Sequence, residues 1–243
     1  MRSFLSILFI LCGLFVFSET AYSQFVQEKA IDSTRIEFED QRMIIKVLDG
    51  LSKTPTTADV VLKGVNPRKP VTLKAVSDTT LILKSYRLYT VSVVKAGYMY
   101  YAHKFWPEEK EAHEEWVVLS PLKVGLKTSI EDITFLGDQT EIYHKSVPAL
   151  EELLDFLTQN PNVKIRIIGH ANGPDSEKRG PAFYKKASEK RAESVRDYLI
   201  AHKIDPARLV TKGAGNAEML YPSPKTDWET QANRRIEIEV VGL

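Results

Sequence analysis

The chain has 243 residues, 43% of them hydrophobic and 27% charged, which is enough apolar sequence for one or two ordinary cores and too much for a disordered chain. Its formal net charge is +1 and its pI is about 7.8, so it carries no broad basic field of the kind that holds nucleic acid. Nucleic acid is not an expected partner.

Met1 and Arg2 precede an apolar run from Phe4 to Phe17, and Ala21-Tyr22-Ser23 follows with the small, any, small pattern of a processing site. The run is shorter than the roughly 20 residues that cross a bilayer. We expect an export signal over 1–23, with the mature chain beginning at Gln24. The only cysteine, Cys12, lies inside that run, so the exported part has no disulfide framework. Cys12 also follows Leu11 rather than the small residue that precedes a lipidated cysteine. Residues 24–40 are polar, without a clear period, and read as a leader.

From 41 to 122 the texture is that of short strands. Ile45 and Val47, Val60 and Leu62, Val71 and Leu73, Leu81 and Leu83, then Tyr89, Val91 and Val93 alternate with other residues, between turn signals at Asp49-Gly50, Asn66-Pro67 and Ala96-Gly97. Strands at about ten-residue spacing predict an all-β sandwich. A membrane barrel of eight strands, each about 9 to 11 residues, needs more chain than lies before Pro121. A Tyr-x-Val-x-Val strand at 89–93 runs into a Lys-x-Gly-Tyr turn at 95–98. This pattern resembles carboxypeptidase-regulatory-like or transthyretin-like modules, which implies a spacer or an adhesion surface for another envelope protein. Tyr98, Tyr100, Tyr101, Phe105 and Trp106 are expected in the core and over the sheet, and EEKEAHEE at 108–115 as a solvated edge.

After the connector LSPLKVG, residues 123–243 change to an α/β alternation, βαβαββ, which predicts a mixed sheet. Ile130, Ile133 and Phe135 mark a first strand. Val147, Leu150, Leu153, Leu154 and Leu157 repeat at helical spacing before Asn160-Pro161. Val163, Ile165 and Ile167 alternate with Lys164 and Arg166 in a strand that stops at Gly169, and Gly180-Pro181 punctuates the start of a long helix. On that helix Tyr184, Ala187, Val195, Tyr198 and Leu199 share an apolar stripe, with Arg191 inside it. A guanidinium there requires an anion, supplied by this chain or by a ligand. Leu209 and Val210 mark a short strand, Gly213 to Ala232 a long loop, and Ile236, Ile238 and Val240 a final strand covered on one face.

Four blocks in this half, ITFLGDQTEI (133–142), LEELLDFLTQNPNVKIRIIGH (150–170), ASEKRAESVRDYLIAHKIDPARLVTKGAGNAE (187–218) and NRRIEIEV (233–240), resemble the OmpA-like peptidoglycan-binding domain in residues and in order. The resemblance implies a periplasmic protein associated with the outer membrane. It also implies recognition of the diaminopimelate of the peptidoglycan stem peptide by an aspartate after a Gly-His-Thr strand end and an arginine in the following helix. Such a pair suits a zwitterion, because a guanidinium grips its carboxylate and an anion meets its ammonium. Arg191 matches the family arginine, with Ser188 and Ala192 in register. Asn172 stands where the family has aspartate, Asp175 lies three residues on, and Tyr184 replaces a family asparagine. Asn233, Arg234 and Arg235 match a family element, and alternation allows at most one of the two arginines to face a shared site.

Catalytic chemistry has no foothold in these residues. There is no Gly-x-Ser-x-Gly elbow, His113-Glu114-Glu115 lacks a second histidine, and the five histidines are scattered without metal-ligand spacing. No enzyme, cofactor or metal is expected. The reading is a non-catalytic peptidoglycan-binding envelope protein with candidate site Arg191, Asn172, Asp175 and Tyr184. Its alternative is an envelope scaffold or assembly module whose OmpA-like domain has lost or altered wall binding.

Overall fold

Met43, Ile45 and Val47 are fully buried while the residues between them are not, so alternation decides which face of strand β1 (Asp40–Asp49) meets the core. The computed structural model describes residues 40–64, 70–84, 88–105, 107, 112–130, 132–136, 140–173 and 176–243, leaving aside the side chains of 176–178 and 228. The expected export signal, the leader up to Glu39, Trp106 and Asp175 lie outside the described residues. Asp40–Leu243 forms one compact unit.

Six further strands follow β1: β2 (Ala58–Lys63), β3 (Val71–Val76), β4 (Asp78–Lys84), β5 (Tyr89–Val93), β6 (Tyr101–Phe105) and β7 (His113–Leu119). They make two sheets, ordered β4-β1-β7 and β3-β2-β5-β6. In the second, Val60 pairs with Val93 and Leu62 with Val91 across an antiparallel ladder. Both sheets feed one buried cluster, in which Ile45, Val47 and Val117 meet Val60, Leu62 and Val91. Each such side chain contributes about 1.5–3 kcal/mol by leaving water.

The acidic run at 108–115 is not all solvated edge. Its last residues enter β7, which pairs in parallel with β1, and alternation turns Glu115 inward with Val117 and Leu119. Glu115 is 4% exposed. Its carboxylate accepts a hydrogen bond from the Tyr101 hydroxyl at 2.8 Å and meets His103 Nδ1 at 3.0 Å, so the buried charge keeps its partners.

The second half is built from β8 (Lys127–Ile130), α1 (Val147–Gln159), β9 (Lys164–His170), α2 (Ser176–Ala201), β10 (Leu209–Gly215), α3 (Asp227–Ala232) and β11 (Ile236–Gly242). The sheet order is β10-β9-β11-β8, parallel between β10 and β9 and antiparallel elsewhere, which is the expected mixed sheet. Two expectations are corrected. The first strand ends at Ile130, because Asp132 takes a left-handed conformation (φ 68°), and Ile133 and Phe135 join the core from a loop closed by a bridge between Phe135 and Ile142. The long loop is shortened from both ends, by β10 reaching Gly215 and by α3, whose first turn is closed by a capping box between Thr226 and Glu229.

Helix α1 buries Ala149, Leu150, Leu153, Phe156 and Leu157, while Val147 at its first position is 38% exposed. Arg208 closes its far end, donating from Nη2 to the carbonyls of Leu157 and Asn160, both at 2.9 Å. Helix α2 breaks at Gly180 (φ 70°, ψ 165°), so Pro181 opens the long segment where a missing amide costs nothing. That segment buries Tyr184, Ser188, Arg191, Ala192, Val195 and Leu199. Its backbone runs close over β9 and β10. A Cβ on Gly169 would collide with the carbonyl of Ser188, and one on Gly213 with that of Lys185.

The two halves meet along α1. Met99 and Tyr100, just before β6, pack into the cluster of the second half. Glu152 on α1 accepts from Lys63 Nζ at 3.0 Å, Ser92 Oγ at 2.8 Å and the Tyr100 hydroxyl at 2.8 Å. Asn160 accepts from the amide of Gly97 at 2.8 Å.

Candidate functional site

The residues picked out by the sequence gather where β9 ends and α2 passes over it. Ile165, Ile167 and Gly169 face the helices, His170 ends the strand, and the chain turns through Ala171, Asn172 and Gly173 toward α2. The turn is tied to its neighbours. The amide of Ala171 donates to the carbonyl of Gly215, and the amide of Gly215 donates to Ser188 Oγ at 2.9 Å. Ser188, in register with the family motif, thereby fixes the end of β10 against α2.

Tyr184 is buried, and its hydroxyl would lie 3.0 Å from a Cβ placed on Gly173, so the ring covers this turn beside Asn172. Arg191 comes two helical turns later on the same face, about 10 Å along the axis. It is 8% exposed, and its guanidinium carbon sits 5.1 Å from the centroid of the Phe135 ring. A cation over an aromatic face at that distance gains about 0.5–2 kcal/mol. Tyr184 and Asn172 are thus brought together, Arg191 shares the helix face with Tyr184, and Asp175 lies outside the described residues.

Asn172 is held by Arg234, which no local pattern singles out from Arg235. Arg234 Nε donates to the Asn172 carbonyl at 3.1 Å and to its side-chain Oδ1 at 3.2 Å. Arg235 points elsewhere, donating from Nε to Glu237 at 2.8 Å and from Nη2 to the Glu218 carbonyl at 3.1 Å. The two arginines, just before β11, thus point to different partners. Phe135 was read only as a strand residue, and its place under Arg191 follows from the loop that replaces that strand. Two clefts, of about 530 Å³ between β2, β3, β5 and α1 and of about 270 Å³ beside Tyr143, are not lined by Asn172, Tyr184 or Arg191.

This order of elements, with the arginine on the helix that follows the Gly-His strand end, coincides with a match to the OmpA family model over residues 134–235. These residues are an OmpA family domain. Outer membrane protein A of Bordetella avium is 34% identical over 116 residues, covering 45% of this chain and 57% of that protein. Outer membrane porin F of Pseudomonas fluorescens is 30% identical over 115 residues, covering 45% of this chain and 32% of that protein. The chain therefore spans about half or less of the length of these relatives, and what is common to them is the OmpA domain. Among solved structures, the cell wall anchor of the T6SS from Pseudomonas aeruginosa is 21% identical with a TM-score of 0.40, covering 48% of this chain and 80% of that one. The OmpA-like domain of FopA1 from Francisella tularensis is 16% identical with a TM-score of 0.39, covering 82% of this chain and 92% of that one. None of these relatives is named as an enzyme.

Proposed function

We propose that the chain is a non-catalytic cell-envelope protein whose OmpA domain binds peptidoglycan, taking the diaminopimelate end of a stem peptide against Arg191. The observation that carries this reading is Arg191 on a buried helix stripe, in register with the family motif and two turns along the same face from Tyr184, which covers the turn at Asn172. The guanidinium holds the ligand carboxylate, and Asn172 and Asp175 meet its ammonium. Relatives named as outer-membrane proteins support a periplasmic, outer-membrane-associated place for it, reached through an export signal at 1–23. We further read residues 41–122 as a β-sandwich of the carboxypeptidase-regulatory-like kind, joined to an OmpA-like domain at 123–243 and presenting a surface to another envelope protein. Shared burial of both its sheets in one cluster supports that reading.

Co-sedimentation with purified sacculi tests the proposal. The whole chain should be used, because Met99 and Tyr100 belong to the OmpA core. The wild type should pellet at moderate salt and Arg191→Ala should not, whereas a wild type left in the supernatant sinks the proposal.

One observation favours the alternative of a scaffold that has lost or altered wall binding. The Asn172 oxygen that would accept from the ligand ammonium already accepts from Arg234. A neutral acceptor also gives roughly half the strength of a charge-assisted bond. Asn172→Asp separates the two readings. A gain of affinity for a diaminopimelate peptide shows a pocket of the family kind weakened by one substitution, and no gain favours the scaffold.

A further inference from the structure

Alternation along β9 sends Ile165, Ile167 and Gly169 toward the helices and His170 to the opposite face of the sheet. On that face His170 meets Glu237 of β11 and Glu218 of the turn after β10. One ligand-type atom from each lies within 4.8 Å of the others. His170 is 2% exposed, and neither of its ring nitrogens has a hydrogen-bond partner among the described residues. Its Nε2 stands 3.2 Å from Glu237 Oε2 but out of line for a hydrogen bond.

We propose that His170, Glu218 and Glu237 bind one divalent first-row transition ion of the Zn²⁺ type, through one imidazole nitrogen and two carboxylate oxygens. Two ligands held at about 2.0–2.1 Å on a tetrahedral ion lie about 3.3 Å from each other, which is the His170–Glu237 spacing already present. One nitrogen with two carboxylates is a borderline donor set, suited to such ions rather than to Mg²⁺ or Ca²⁺. Glu218, with its side chain 44% exposed, is the ligand that can swing in to close the site, and it leaves a route for the ion to enter.

The surrounding charges have separable roles. Arg235 Nη2 contacts Glu237 Oε1 at 2.7 Å, leaving Oε2 turned toward His170, so Arg235 orients a ligand from outside the coordination sphere. Lys212 Nζ lies 3.2 Å from Glu218 Oε1 and is half-exposed, so it competes with an incoming ion. The site lies on the sheet face away from Tyr184 and Arg191, and it does not depend on wall binding.

Calorimetric titration of the untagged chain with ZnCl₂ tests this, with melting temperatures recorded in parallel. The expected result is saturable binding of one ion per chain, weakened by about tenfold or more in Glu218→Gln and tightened in Lys212→Gln. Glu218→Gln alters an exposed side chain, so its melting temperature without zinc should match the wild type. Absence of saturable binding overturns the proposal. So does binding that Glu218→Gln leaves unchanged, because another part of the surface would then hold the ion.

Discussion

The all-β portion and the OmpA domain both bury polar groups, but they dispose of them differently. In the all-β portion two carboxylates are each closed by several hydrogen bonds. Buried Glu115 is satisfied by Tyr101 and His103 of β6, and half-buried Asp49 by the amides of its own turn and the Tyr98 hydroxyl. In the OmpA domain Asn172, in the turn after β9, is held by Arg234 from before β11, and His170 at the end of β9 meets Glu237 of β11. Closure by several hydrogen bonds leaves nothing for an ion to complete, whereas His170, with neither ring nitrogen hydrogen-bonded among the described residues, leaves a place that an ion can join. The second disposition depends on close approach of backbones, and it is there that the molecule should be most easily broken.

The largest effect is expected at Gly169. An alanine there would press on the Ser188 carbonyl, and α2 cannot retreat without opening the contacts of Gly213 and Gly215 as well. Gly169→Ala should cost about 3 kcal/mol in urea denaturation. Next comes the seam between the two portions. Glu152→Ala removes the acceptor that Lys63, Ser92 and Tyr100 share, which should cost about 2 kcal/mol and broaden or divide the unfolding transition. A single transition of unchanged sharpness would mean that the halves are coupled by Met99 and Tyr100 rather than by this carboxylate. A conservative trim in the all-β core, Ile45→Val, removes one methylene from a fully buried side chain and should cost about 1 kcal/mol while leaving sacculus binding intact.

The smallest effect concerns Asp49. The hydroxyl of Tyr98 first, then the amides of Ser52 and Leu51, hold its carboxyl down to about 2 from an ordinary value of 3.8. A carboxyl depressed on folding adds stability that is present above its unfolded value and is lost as pH falls from near 4 through 2. A carbon-detected NMR titration should place the Asp49 midpoint near 2. Tyr98→Phe should move it upward, and a midpoint that stays put would show that the turn amides alone set it.

Much of this could be read from residues in order. Alternation at Met43, Ile45 and Val47 is the whole signal for β1, because one face of that strand is sealed and the other is not. The period of α1 is carried by Leu150, Leu153 and Leu157, and fully buried Phe156 joins the same face beyond that period. The strand expected through Ile133 and Phe135 gives way to a loop, because apolar spacing carries no sign of the left-handed residue between Ile130 and Ile133. Arg191 was legible as an anomaly, a charge on an apolar stripe. The hold of Arg234 on Asn172 spans 62 residues and depends on how β11 is registered against β9, which no local pattern encodes. For the same reason histidines without ligand spacing gave no hint of His170, Glu218 and Glu237, which only the sheet assembles.

The central claim is that the turn after β9 and the face of α2 above it receive the wall peptide. The most direct measurement is an NMR titration of the isotope-labelled chain with a diaminopimelate-containing stem tripeptide. The account predicts saturable shifts centred on Asn172, Tyr184 and Arg191, absent in an Arg191→Ala variant of unchanged melting temperature. Shifts that fail to saturate, or that fall on the strands of the all-β portion instead, would contradict it.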